Sequence, residues 1–421
     1  MHFAPAFHSL RKTLLVGITA SLLSSGCAEM KYYGDLAVQH LKILAQKESI
    51  EDIIQDPTFD EETKRKLHLV QGVREYAFKR LHLPETEAYT TYVDLQKLRE
   101  REQEQQEQKQ SQELTGAQKE GSPKKKDLKE ETKKSKEETK EQELLPQENY
   151  VVVFITACRS DKFEVKEWWY PFVGFQQMRT FYDEKEADAY AQELQQEGWD
   201  VALSKTRAYS TGKFLNNSLL DEPLGDPVTN VMLNQSDAAI IEYLFHEIAH
   251  QVVYVEGDTT FNESFAEFVG EKGTELYLRD HHHHHQEFPN GLAGKQKRRK
   301  DDNLFYEIVA SYTQWLSLLY DSSLPREEKL RTKQTIFQAM KTAYLTEAEP
   351  FGAGRRKWFE KDLNNAHLVH LQHYNNYVDE FATLFEISAQ GHWSKFYEIV
   401  RTIAEWPEAK RKEYMESIPT K

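Results

Sequence analysis

Cysteine is nearly absent: the 421 residues contain two, Cys27 and Cys158. Two are too few for a cysteine-based zinc site. Positive charge is also short, with 54 Lys+Arg against 69 Asp+Glu and a net charge of −15. A phosphate backbone repels such a surface and no basic stripe relieves it, which argues against a nucleic-acid partner. Between 98 and 147 aromatic residues vanish and Glu, Gln and Lys take over. That stretch has too little apolar area to offset the entropy of ordering, so it reads as a disordered insertion and not a domain. A tether or partner-binding tract is its functional alternative. The rest of the chain can bury one sizeable core or two modest ones.

The N-terminus reads as an export leader. Arg11 and Lys12 precede an apolar run, Thr13 to Leu23, too short to span a bilayer, and Ser24-Ser25-Gly26-Cys27 follows. Residues 1–26 resemble a bacterial lipoprotein signal. The resemblance implies cleavage after Gly26, a lipidated Cys27 as the first mature residue, and a membrane tether facing the periplasm. Ala28 fits outer-membrane sorting by analogy; an ordinary secreted protein cut nearby is the other reading. With Cys27 lipidated, Cys158 has no disulfide partner and reads as a small buried residue.

Apolar residues recur at helical spacing in Leu36, Val38, Leu41 and Leu44, and again in Leu67, Val70, Val73, Ala77 and Leu81. These predict two helices divided by Pro57. Strands are expected at 150–155 and 199–204 around a helix over 186–197, with Gly198 as its C-cap. The Trp168-Trp169-Tyr170-Pro171 stretch and Tyr209-Ser210-Thr211 are aromatic for loops. Core packing is the plain reading, and a place in a substrate groove for Tyr209 and Ser210 the functional one. After Glu271 helical periodicity resumes to the C-terminus, broken by the run His281 to His285, read as a solvated loop or a loose divalent-metal binder. Asn364-Asn365 is expected to open a helix that faces the site. Tyr374 and Tyr377 are either core aromatics or a phenol for an oxyanion.

Chemistry concentrates in Phe245-His246-Glu247-Ile248-Ala249-His250, followed by Asn262-Glu263-Ser264-Phe265-Ala266-Glu267. On a helix, His246 and His250 lie one turn apart on one face, where one cation bridges both imidazoles. Two imidazoles and a carboxylate give zinc three protein ligands and leave a position for a water whose pKa falls to about 7. Glu247, beside them, is placed as that water's base. A helix from Ser236 to about Val255 is apolar around most of its circumference. Three buried ionisable groups on it are costly unless something compensates, and a metal does so. For the third ligand the residues leave two choices. Glu263 fits a capping box with Thr260, and helix rise places Glu267 nearer the histidine level.

This His246-Glu-x-x-His250 and Asn262-Glu263-x-x-x-Glu267 pair resembles the gluzincin metallopeptidases. The resemblance implies that Glu263 is the third ligand and that Glu267, with Asn262, supports the ligand set. The whole chain is similar to the bacterial family described as putative aminopeptidases, predicted lipoproteins of zincin type. The matching pieces include Gly26-Cys27, Tyr32-Tyr33-Gly34, Arg74 to Ala77, Trp168 to Gly174, Tyr209 to Thr211, Phe245 to Val253, Gly257 to Ala266 and Asn364 to Ala366.

The expectation is therefore a mainly α-helical, α+β protein of zincin-like architecture with paired HExxH and NExxxE helices. After the signal come an N-terminal helical part over 27–97, the charged insertion over 98–147 and the metallopeptidase domain over 148–421. One Zn2+ per chain would serve a membrane-anchored peptidase, an aminopeptidase by resemblance, acting on peptides or proteins. Asp226, Glu242 and Glu222 are candidates to hold a substrate α-ammonium. The rival reading is a non-catalytic envelope scaffold on the same fold; an intact Glu247 argues against it.

Overall fold

Helices supply most of the architecture and short strands the rest. The computed structural model describes residues 29–101, 104, 108, 150–170, 174–206, 225–281, 291–351, 354–371 and 377–420. A first helix, α1, runs over 29–44. Then come β1 (Glu48–Ser49), α2 (Ile50–Gln55), α3 (Glu61–Lys79), β2 (Thr91–Val93) and α4 over 95–101. The region expected to be two helices is thus three. Pro57 separates α2 from α3, whose N-cap Asp60 accepts from the Thr63 amide at 2.9 Å. Val38 and Leu41, expected to face a core, are exposed.

The mixed middle region holds β3 (Val152–Arg159), β4 (Trp168–Tyr170), β5 (Gly174–Gln176), β6 (Arg179–Phe181), α5 (Glu184–Gln196) and β7 (Trp199–Thr206). Strand order is β6-β3-β7, antiparallel throughout, with Ile155 opposite Leu203. Gly198 ends α5 at φ 85°, a conformation that favours glycine, which lets β7 turn back at once. Tyr150, Val153, Ile155, Ala157, Ala187 and Leu194 bury the face between this sheet and α5. A second small sheet, β1-β2-β8, brings β8 (Val228–Thr229) parallel to β2.

The rest is helical: α6 (Asn230–Leu233), α7 (Asp237–Ala249), α8 (Thr259–Asp280), α9 (Gly291–Asp321), α10 (Arg326–Glu347), α11 (Arg356–Phe359), α12 (Asn365–Leu371), α13 (Val378–Thr383), α14 (Trp393–Ala404) and α15 (Glu408–Ser417). A π turn over Leu384–Ser388 extends α13. The main core joins α3, α7, α8, α13 and α14 through Leu67, Phe245, Phe265, Phe381 and Phe396. Each such side chain contributes about 1.5–3 kcal/mol by burial. A separate core, with Phe305, Phe337 and Tyr344, lies between α9 and α10. No helix among the described residues is long and apolar enough to cross a membrane.

Asn364 and Asn365 do open α12, but they do not face the His–Glu region. The Asn365 amide donates to the Arg159 carbonyl at 2.8 Å, its oxygen accepts from the Tyr320 hydroxyl at 2.7 Å, and Asn364 donates to the Val201 carbonyl at 2.9 Å. They pin α12 to β3 and β7. Their polar side chains meet backbone carbonyls at a buried helix start, where an amide outcompetes any apolar residue.

Candidate metal centre

Helix α7 starts where its sequence indicates. Ser236 caps it by accepting from the Ala239 amide at 3.3 Å. Arg65 holds Asp237 in the first turn through two hydrogen bonds of 2.8 and 2.9 Å, tying α3 to α7. Ile240, Ile241, Leu244, Phe245, Ile248 and Ala249 are buried, so the helix is walled on most sides.

The helix ends at Ala249, with His250 as its cap, and not near Val255 as expected. Asn262 explains the early stop. Its side-chain oxygen accepts from the Val255 amide and its side-chain nitrogen donates to the Val255 carbonyl, each at 2.8 Å. A backbone group clasped from outside cannot continue the helical ladder. Arg401 donates to the Val252 carbonyl at 3.3 Å, and Gly257 turns the chain at φ 79°. Asp258, not Thr260, then caps α8, accepting from the Phe261 amide at 3.0 Å, so the expected capping box with Glu263 does not form. Buried Arg411 on α15 holds the other Asp258 carboxylate oxygen at 2.7 Å.

The shorter helix reverses the height argument. His246 now lies about 6 Å below the end of α7, and Glu263 lies about 6 Å into α8, at 1.5 Å per residue. Glu263 is level with His246, and Glu267 is a turn deeper. The atoms agree. His246 Nε2 is 3.2 Å from His250 Nε2 and 3.3 Å from a Glu263 oxygen, while the other Glu263 oxygen is 3.7 Å from His250 Nε2. Ligand atoms about 2.0–2.1 Å from a tetrahedral zinc ion stand about 3.3–3.4 Å apart. His246, His250 and Glu263 therefore form a donor set whose chemistry and spacing fit zinc. Two imidazole nitrogens this close need a proton or a cation between them.

Glu267 approaches the same imidazole from its other nitrogen, 3.5 Å from His246 Nδ1. A carboxylate there fixes the tautomer that leaves Nε2 free to ligate. Burial disfavours the charged ring, but Glu263, Glu267 and the charge of Glu247 outweigh it and push the His246 pKa up to about 10. The site is built for positive charge, whether carried by a proton or a metal. Behind it, Glu242 and Glu271 approach Glu267 to form a second group of three carboxylates; Arg299 on α9 pairs with Glu271 at 3.5 Å and with Asp379 at 2.7 Å.

Glu247 is half-buried on the next position of α7. Its charge raises the pKa values of Tyr243 and Tyr89 beyond what their burial already does, which keeps both phenols protonated. The two rings meet edge to face at 6.2 Å, and the Tyr243 oxygen is shielded from solvent. Sequence reasoning passed over this pair, although Tyr243 stands four residues before Glu247 and so on the same helical face. It also passed over Gly270 and Gly273. A Cβ at Gly270 would lie 3.0 Å from the Glu242 carbonyl and 3.3 Å from His246 Cβ, and one at Gly273 only 2.7 Å from the Phe245 ring. These glycines let α8 close on α7. Glycines three apart on one helix face were the available signal.

The remaining expected residues scatter. Cys27, Tyr209, Ser210, Glu222, Tyr374 and His282 to His285 lie outside the described residues. His281 stacks on Tyr277 at 4.1 Å at the end of α8. The Tyr377 amide donates to the Ser264 hydroxyl at 3.2 Å. Its phenol is raised first by burial and then by Glu416, Asp258 and Glu380, which surround the start of α8 and not the histidines. Asp226 is buried, and its carbonyl accepts from the Tyr89 amide at 2.8 Å.

A family model described as "Putative aminopeptidase" matches residues 31–101 and 102–415. Neither the curated proteins nor the solved structures give a match.

Proposed function

The chain belongs to the putative aminopeptidase family, and on that premise we propose that it is a zinc-dependent peptidase of gluzincin type on a zincin-like fold. The observation that carries the reading is the near-tetrahedral spacing of His246, His250 and Glu263 with Glu247 on the adjoining position. A zinc ion held there supplies a Lewis acid for the scissile carbonyl and an acidified water. Glu247 accepts the water's proton and returns it to the leaving amine. Glu267 holds His246 Nδ1, and Asn262 holds the loop that aims His250. Tyr243 and Tyr89, kept protonated beside Glu247, are donors on the same side of the site.

The lipoprotein signal at 1–26 assigns the protein to the cell envelope, tethered by Cys27 and facing the periplasm, with the peptidase domain after the charged insertion. The family supports a peptidase; release of single N-terminal residues is the finer reading. Glu242, Asp226 and Glu222 are the carboxylates available for a substrate α-ammonium.

Purified protein is expected to carry about one zinc per chain and to cleave a peptide library unless a chelator is present. Glu247→Gln should keep the metal and lose hydrolysis by about 10²–10⁴-fold. Metal-free protein that digests nothing would sink the proposal, and so would full turnover by Glu247→Gln. Equal cleavage of N-acetylated and free-amine peptides would exclude the aminopeptidase reading alone.

A further inference from the structure

The chain displays an apolar surface at the corner where its described part begins. On α1, Met30, Val38 and Leu41 are each more than half exposed. At 100° per residue they fall within about 80° of one another, so they form one stripe. Beside them, β4 and β5 form a two-stranded hairpin in which Trp169 stands opposite Phe175. Strand alternation sends Trp168 inward, where its indole donates to the Tyr190 hydroxyl at 2.9 Å, and leaves Trp169 and Phe175 facing out, again more than half exposed. The two elements are joined. The Tyr33 hydroxyl of α1 donates to the Trp169 carbonyl, and Met30, Tyr33 and Trp169 line one open groove.

A contiguous exposed apolar surface marks an interaction site. Its position identifies the partner. Arg179 pairs with Glu29 at 3.0 Å, which fixes the start of α1 to the sheet. Two residues of chain reach about 7 Å at most, so a lipid chain on Cys27 holds this corner at the headgroups. Trp and Tyr are the side chains that bilayer interfaces favour, and an apolar helical face lies along such an interface.

We propose that the α1 stripe and the Trp169–Phe175 hairpin form a bilayer-docking surface that seats the protein in one orientation on the membrane. The proposal rests on the lipoprotein reading for its choice of partner. Its test does not. The full mature chain with Cys27→Ala is mixed with vesicles of phosphatidylethanolamine and phosphatidylglycerol and floated on a density gradient. It is expected to float with the lipid, whereas a Trp169→Ser, Phe175→Ser double variant and a Val38→Ser, Leu41→Ser double variant should each partition about tenfold less. Unchanged melting temperatures would show that both variants are folded. Flotation by both variants at the parent level would overturn the proposal. So would a parent that stays with the soluble fraction, and if that parent sediments as a dimer the surface belongs to a second copy of the chain. The mass of the N-terminal peptide from native membranes tests lipidation separately, so either reading can fail alone.

Discussion

Two glutamates four residues apart on α8 meet the same histidine through different ring nitrogens, and their substitutions should separate. Glu263 faces Nε2 of His246 and of His250, whereas Glu267 faces Nδ1 of His246. Glu263→Ala removes a ligand and should leave no zinc after dialysis. Glu267→Gln keeps the donor set and should weaken zinc by about 10–100-fold, the usual cost of a lost outer partner. Competition with a coloured chelator measures both. Equal loss from the two variants would mean that both carboxylates ligate. The residues alone left this choice open, because the level of each glutamate depends on where α7 ends. That end is set by Asn262, a long-range contact that no local pattern encodes.

At the scale of elements, the site depends on how closely α7 and α8 approach. Gly270→Ala has two opposed effects. Ala gains about 1 kcal/mol of helix propensity over Gly, and the new methyl meets the Glu242 carbonyl and His246 Cβ at a cost of about 1–3 kcal/mol. Stability should therefore fall only modestly, while the helices part by a few tenths of an ångström and zinc affinity falls. A chemical melt and a zinc titration on one sample check this; unchanged affinity would show that the two helices do not set the ligand geometry. Asn262→Ala should be harsher. It leaves the Val255 amide and carbonyl without their clasp beside a buried position, costing about 1–3 kcal/mol per unpaired group, measurable as a lower urea midpoint. Much of this architecture is legible beforehand. Strong periodicity reveals α3, α7 and the C-terminal helices, and β-branched runs reveal β3. Periodicity fails at α1, because Val38 and Leu41 repeat as core residues do and yet face outward. Hydrophobic spacing reports that a face is apolar and cannot say what covers it.

For the whole molecule, the charged insertion should be dispensable. Its flanks already touch: the Arg99 guanidinium donates to the Tyr150 carbonyl at 3.0 Å and lies over the Tyr150 ring at 4.9 Å. Replacing 102–149 by about eight Gly and Ser residues shortens a loop between neighbouring ends. Closure entropy then favours the folded state by about 1.5 kcal/mol at most. The shortened protein should melt at the same temperature or a few degrees higher, with zinc content and hydrolysis intact. Calorimetry and a metal assay check it, and a loss of folding would make the insertion part of the domain. Composition alone indicated this, since a stretch without aromatic residues cannot build a core.

The His–Glu group also differs from its surroundings in when it can form. His246 to Glu267 is one short stretch of chain, but the aromatic wall against α8 comes from far away: Phe265 and Phe268 pack on Phe396, and Tyr397 donates to the Leu81 carbonyl across 316 residues. A chain that emerges N-terminus first presents its complete ligand pair well before Phe396 exists. During that interval the phenylalanine face of α8 is bare, so export must be accompanied by a holding chaperone, and chains cut short before α14 should aggregate even with every ligand in place.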